Sequence, residues 1–163
     1  KLKVLRLRNI EVGEAEAEEF CKALGLNDTI TKLEIRDAFA HRARCSALWK
    51  ALADALKSNN CTVTHVNLES NDIGDEGAKA LADALKSNCT VTHVNLEFNM
   101  IGGQGAKAFA DALKSNCTVT DVNLYGNWIG VEGGKALADA VESNRTVTVR
   151  PKVSQLGGKG AKA

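Results

Sequence analysis

Residues 63–90 read VTHVNLESNDIGDEGAKALADALKSNCT, and this stretch decides the fold because the chain repeats it. Residues 91–118 read VTHVNLEFNMIGGQGAKAFADALKSNCT, and residues 119–146 read VTDVNLYGNWIGVEGGKALADAVESNRT. Three consecutive units therefore align without a gap at a period of 28 residues. A fixed period of this size is typical of architectures in which each unit is one small supersecondary element.

Each unit combines two hydrophobic periods. Val66 and Leu68 alternate with polar neighbours, which is typical of a short half-buried strand. Ala78, Leu81 and Leu85 recur at helical spacing. One strand and one helix cannot bury their own apolar stripes, so the units must stack. We therefore predict an α/β solenoid of about six repeats, a horseshoe with parallel strands on its concave face and helices on its convex face.

Glycine and asparagine recur at fixed places in each unit. Glycines stand at 74 and 77 and at the equivalent places of the next two units, where they are expected to allow a tight passage from strand to helix. A second set is expected to end the helices in the left-handed conformation that Asn tolerates: Asn88, Asn116 and Asn144. A third set is expected to form a buried ladder that satisfies backbone groups of the bend: Asn71, Asn99 and Asn127.

Further repeats are predicted to start near residues 2, 30 and 147, which makes residues 1–163 one domain. Ile30 and Val63 are 33 residues apart, so the second repeat is longer than the others. Its residues 37–50 (DAFAHRARCSALWK) are predicted to form an irregular insertion, in which Trp49 either carries function or covers a gap in the helix layer. The last repeat loses register near Pro151, so we expect the chain to be a piece of a longer one.

The segment NDIGDEGAKALADALKSN, residues 71–88, closely resembles the signature of ribonuclease-inhibitor-like leucine-rich repeats. That class includes the ribonuclease inhibitor, the leucine-rich part of NOD-like receptors, Ran GTPase-activating proteins and tropomodulin. The resemblance covers nearly the whole chain. It implies a horseshoe fold, a cytoplasmic location and a protein partner, and it does not choose among these relatives.

Composition narrows the class of function. Twenty-one basic residues against twenty acidic ones argue against nucleic-acid binding, and the lack of a long apolar run argues against a membrane span. The sequence carries no recognisable catalytic signature, so we expect no enzymatic activity and no cofactor. We predict a protein-interaction scaffold or sensing module. A GTPase activator of the Ran-directed type and an autoinhibitory region of a NOD-like receptor remain as alternatives, and the oligomeric state stays open.

One candidate partner-binding site is a group of large apolar side chains. They flank the ladder asparagines on the strand-to-helix rim, the edge where the chain leaves each strand for the next helix: Phe98, Met100, Tyr125 and Trp128. Exposed aromatics and Met in a cluster are typical of binding hot spots. The alternative is that they pack on a neighbouring loop.

Other candidates lie on the strands. His65, His93 and Asp121 share one position in successive repeats and could bind a metal, respond to pH or be ordinary exposed residues. The first two repeats present a basic end that could dock an acidic partner or belong to a mixed-charge surface: Arg6, Arg8, Lys32 and Arg36. The later repeats present Glu69 and Glu97 instead.

Three cysteines occupy one loop position in successive repeats: Cys61, Cys89 and Cys117. A disulfide framework would not recur once per repeat, and their spacing is not that of a zinc site. We therefore expect each thiol to be free and to point into the interior as a small apolar group.

Overall fold

The computed structural model describes residues 2–9, 13–37, 46–58 and 61–150. In these ranges strands and helices alternate along the chain. The strands are β1 (Val4–Arg8), β2 (Lys32–Arg36), β3 (His65–Asn67), β4 (His93–Asn95), β5 (Asp121–Asn123) and β6 (Thr148–Arg150). The helices are α1 (Glu14–Gly25), α2 (Ser46–Lys57), α3 (Gly74–Ser87), α4 (Gly103–Ser115) and α5 (Gly130–Ser143). Among them, no helix has the length and apolar character needed to span a membrane.

The strands form one parallel sheet in the order β1 to β6. Each strand pairs with the equivalent residues of the next repeat, so that His65 lies beside His93 and His93 beside Asp121. Successive helices pack on one another in the second layer. The predicted leucine-rich-repeat solenoid is therefore confirmed, with a parallel sheet in one layer and helices in the other.

The core runs continuously between the two layers. From the strands it receives the buried Val66, Val94 and Val122. From the helices it receives Leu81, Leu137 and, in α4, the larger Phe109, all of them buried. Because each repeat closes its interior against the next one, burial of this apolar surface stabilises the stack rather than any single unit.

The predicted ladder of buried asparagines is present. Oδ1 of Asn99 accepts a hydrogen bond from the backbone N–H of Asn71 at 3.0 Å, and Oδ1 of Asn127 accepts one from the N–H of Asn99 at 3.0 Å. Nδ2 of Asn99 donates to the carbonyl of Leu68 in the preceding repeat at 2.7 Å. Each amide therefore satisfies backbone groups that the sheet no longer reaches.

The asparagines that end the helices act differently from the prediction. Asn88 has φ −75° and ψ 133°, and Asn116 has φ −80° and ψ 134°, so both are extended and the predicted left-handed conformation is wrong. Their side chains explain the preference for Asn. Nδ2 of Asn116 donates to the carbonyl of Leu85 at 2.6 Å, and its Oδ1 accepts from the N–H of Val119 at 2.8 Å. These amides form a second ladder between repeats.

The irregular insertion predicted for residues 37–50 is wrong for its last part, because α2 begins at Ser46. Residues 46–57 (SALWKALADALK) keep the helical spacing of the other repeats, and residues 38–45 lie outside the described ranges. Trp49 is buried in α2, against α3. A Cβ on Gly77 would stand 2.8 Å from its ring, so this glycine is required for close packing. Pro151 and the residues after it also lie outside the described ranges.

The prediction that the cysteines point inward is right for one loop and wrong for two. Cys61 is buried, whereas Cys89 and Cys117 are exposed. In the loop after α3, Asn88 and Val91 take the buried positions, which leaves the cysteine on the outside. Cys21 of α1 is also buried, and burial raises the pKa of its thiol to about 12.

The ladder can be tested with two asparagines of the same repeat. Asn99→Ala removes a buried amide and leaves backbone groups without hydrogen-bond partners. We therefore expect the free energy of unfolding to fall by about 3 kcal/mol. Asn95→Ala removes a half-buried amide that water can replace, and its cost should stay below about 1 kcal/mol. Urea denaturation of both variants measures the difference. Equal losses would contradict the ladder's structural role.

Candidate functional site

Three of the four predicted rim side chains are exposed. Trp128 is 66% exposed, Phe98 49% and Met100 41%, and Tyr125 is half-buried. The rings of Phe98 and Tyr125 form an edge-to-face pair with centroids 5.5 Å apart. The Phe98 ring also lies over Gly126, where a Cβ would collide with it. Phe98 and Tyr125 therefore pack on one another in part, and the rim still presents a wide apolar surface to solvent.

The backbone of the rim is held by hydrogen bonds between repeats. The N–H of Phe98 donates to the carbonyl of Tyr125 at 3.0 Å, and the N–H of Trp128 donates to that of Ile101 at 2.8 Å. Between Phe98 and Met100 the ladder residue Asn99 turns inward, so its two neighbours must point outward. The apolar side chains thus stand on ordered loops, and little loop entropy would be lost when a partner binds.

The strand face, the surface formed by the outward side chains of the six strands, carries a stacked pair of imidazoles. The rings of His65 and His93 are parallel within 6°, with centroids 4.3 Å apart. The hydroxyl of Thr64 donates to the carbonyl of Thr31 at 3.0 Å and lies 2.8 Å from Nδ1 of His65. This hydrogen bond holds the ring of His65 beside its own strand, and the tautomer of the ring decides which of the two atoms donates.

The surroundings of His65 favour its neutral form. Burial lowers the pKa of His65 below its ordinary value of 6.5, and the nearby His93 and Lys32 lower it further. Asp121, the next residue in the row, is paired with Arg150. The two rings stack with parallel planes, so the ring nitrogens of the pair do not point towards one common site between them. Within the described residues, no group of three or more His, Cys, Asp and Glu could hold a metal ion.

The predicted basic end is neutralised in part, because its four basic residues share two carboxylates. Arg6 pairs with Glu34 at 2.9 Å, and Arg8 reaches the same carboxylate at 3.6 Å. Arg36 pairs with Glu69 of the next repeat at 2.7 Å. Lys32 borders a polar pocket of about 310 Å³ above the histidines. About half of the positive charge that was expected to attract an acidic partner is therefore offset between neighbouring strands, in exposed pairs of small energetic value.

The helix layer holds a groove that the sequence did not predict. It lies between α1 and α2, has a volume of about 620 Å³ and is lined by small or partly apolar residues such as Cys21, Ala51 and Ala55. One large apolar side chain stands at its edge, Leu26, which is 75% exposed. The groove is formed by residues of two helices from different repeats. It lacks the aromatic anchors of the rim.

Comparison with known proteins narrows the relatives. The sequence matches the family described as "TMOD/LMOD Leucine-rich domain" over residues 50–148. No curated protein sequence matches the chain. A solved structure titled "Leiomodin-1 Actin-Binding Site 2 (ABS2)" is similar with a TM-score of 0.71 at 24% identity, over 85% of this chain and 80% of that one. The tropomodulin C-terminal domain of Caenorhabditis elegans is similar with a TM-score of 0.64 at 17% identity, over 89% and 85%.

Of the relatives that the repeat signature suggested, these similarities favour tropomodulin. Tropomodulin is among the relatives expected from the sequence, and both solved structures share the fold of the chain. The narrower assignments to NOD-like receptors and to Ran-directed GTPase activators gain no support from the family match.

The histidine pair gives a pH-dependent stability. The unfolded chain binds a proton at His65 near pH 6.5, whereas the folded chain binds it at lower pH. Stability is therefore complete above pH 6.5 and falls as the pH drops from 6.5 towards the folded pKa. When the pH is lowered from about 7.5 to about 5.5, we expect the free energy of unfolding of His65→Gln, measured by urea denaturation, to fall less than that of the wild type.

His93→Gln is the matched control. It removes one neighbouring charge but leaves the burial of His65, the larger cause of the shift. It should keep most of the pH dependence. An NMR titration that puts the pKa of His65 at or above 6.5 would refute the explanation.

Proposed function

Because the chain belongs to the TMOD/LMOD leucine-rich-domain family, we propose that it is a protein-interaction module that binds actin through the strand-to-helix rim. The exposed aromatic cluster at Phe98 and Trp128 is the observation that carries the choice of surface. Actin as the partner rests on the relative that is titled as an actin-binding site. In this proposal the chain binds rather than catalyses, and it works in the cytoplasm with its partner.

The rim suits binding better than the other two surfaces. Aromatic side chains bury roughly 150–250 Å² each and dominate interface energetics. The strand face is polar, and its arginines at 6, 8 and 36 are already paired with acidic residues of the same sheet. The helix-layer groove offers one large exposed side chain, Leu26. The rim also has ordered loops, which lowers the cost of association.

The rim is tested by Trp128→Ala. We expect the variant to bind actin about 2 kcal/mol more weakly, roughly thirtyfold, which is the effect of losing a hot-spot aromatic. Folding should change little because the ring is mostly exposed. Fluorescence anisotropy with labelled monomeric actin, and co-sedimentation with filaments, measure the affinity, and circular dichroism checks the fold.

Leu26→Ala is the matched control, since it truncates an equally exposed apolar side chain on the helix layer. Its affinity should equal that of the wild type. If the wild type binds neither form of actin, the partner is wrong. If Trp128→Ala binds as tightly as the wild type, the surface is wrong.

A further inference from the structure

The rim places large apolar side chains on a backbone that does not favour them. The residue before each ladder position has a left-handed backbone in five repeats: Asn9 at φ 50°, Asp37 at 47°, Ser70 at 59°, Phe98 at 53° and Gly126 at 70°. Four of these are residue types that often adopt this conformation or occur in turns, and Phe98 is not. Met100, just after the ladder position, is also left-handed, at φ 54°.

Folding does not explain these two choices. A bulky side chain in the left-handed region is strained, and burial does not offset that strain because both side chains remain about half exposed. The equivalent positions of the preceding repeat hold Ser70 and Asp72, which fit the same loop. Strain of this kind points to a binding role for the residues that cause it.

The part of the rim around the apolar cluster is also acidic. Three of the rim loops, at residues 68–76, 96–104 and 124–132, contain no Lys, Arg or His, although the whole chain has a net charge of +1. They carry six carboxylates: Glu69, Asp72, Asp75, Glu76, Glu97 and Glu132. On the outer helix face, by contrast, acids pair with a lysine three residues later, as in Asp83 with Lys86 and Asp111 with Lys114.

Part of the negative charge is compensated locally. Glu69 pairs with Arg36, and Glu76 pairs with Lys79. Asp75 accepts hydrogen bonds at 2.8 Å from the N–H groups of Gly102 and Gly105, at the start of α4. The N-termini of α3, α4 and α5 add about half a positive charge each. These contributions together are smaller than six negative charges, so the rim stays negative.

The remaining charge lies on both sides of the apolar cluster. Asp72 belongs to the repeat before Phe98, and Glu132 follows Trp128 in the first turn of α5. Among the ion pairs of the described ranges, none includes Asp72, Glu97 or Glu132. An apolar surface bordered by carboxylates that lie in no ion pair of the described ranges is complementary to an apolar segment bordered by cations.

We propose that the rim recognises a partner segment in which large apolar side chains are flanked by lysine or arginine. The apolar side chains pack on Phe98, Met100 and Trp128, and the flanking cations face Asp72 and Glu132. This inference rests on the proposed role of the rim as a binding surface. It does not depend on actin being the partner.

A peptide experiment tests the chemistry of the rim separately from the proposal that actin is the partner. The probes are a fluorescein-labelled peptide with Leu-Phe at its centre and lysines on both sides, and the same peptide with glutamates instead. We expect the lysine peptide to bind at least about fivefold more tightly at low salt, and the difference to shrink at about 500 mM salt. Trp128→Ala should weaken the binding of the lysine peptide.

The paired variants test the flanking carboxylates. Asp72→Asn with Glu132→Gln removes two rim charges, and Asn also tolerates the left-handed backbone at position 72. Asp83→Asn with Asp139→Asn removes the same number from the exposed outer face of the helices. The rim variant should lose about fivefold in affinity for the lysine peptide, and the helix variant should lose none.

Each outcome decides one of the two proposals. If the glutamate peptide binds equally well, if neither peptide binds, or if both double variants behave alike, the inference is overturned. If the lysine peptide binds as expected but actin does not bind, the chemistry of the rim stands and the partner proposed above is wrong.

Discussion

The side-chain amide of the buried ladder asparagine supplies hydrogen bonds where the sheet cannot, and the stacking of the repeats depends on it. A chain that bends from strand to helix turns its N–H and C=O groups away from the neighbouring strands. Asn99 offers both an acceptor and a donor at that place, and it bonds to the repeat before it through Asn71 and Leu68. Each repeat therefore completes the polar interior of its neighbour as well as the apolar one.

The fold could be predicted because local pattern and repeat period agree. The strand and helix spacings in residues 63–146 give the type of each element, and stacking follows from the need to bury two apolar faces. The backbone conformation and side-chain orientation at single positions were harder to predict from the sequence. At position 88, Asn is suited both to a left-handed helix cap and to an extended residue whose side chain is hydrogen-bonded. The hydrogen bond that decides between them runs from Nδ2 of Asn88 to the carbonyl of Leu56, which belongs to another repeat. Cys89 is exposed because its neighbours take the inward positions, a choice that composition does not encode.

The candidate surfaces differ in how many of their features can be predicted from the sequence. The exposure of Phe98 and Trp128 could be predicted because Phe98 stands where other repeats have Ser70 and Gly126, and Trp128 stands where an earlier repeat has Asp72. The neutralisation of Arg36 could not, since its partner Glu69 lies 33 residues away across a repeat of unusual length. The stacking of His65 on His93 requires the register of the strands and the rotamer of each ring. The hydrogen bond between Thr64 and Nδ1 of His65 also depends on a third repeat, because the same hydroxyl lies against the carbonyl of Thr31.

The buried ladder and the exposed rim follow from the same constraint on the chain, the inward position of the ladder asparagine. Because Asn99 must point inward to bond the preceding repeat, the residues on either side of it must point outward on a left-handed backbone. Those outward positions make no contribution to the core, so their side chains can change without disturbing the stack. Residues such as Ser70 and Asp72 accept the left-handed backbone at little cost. Where Phe98 and Met100 replace them, the strain is kept although both side chains stay about half exposed. The edge-to-face contact with Tyr125 offsets this strain in part at Phe98, and contact with another molecule is a further source of stabilisation.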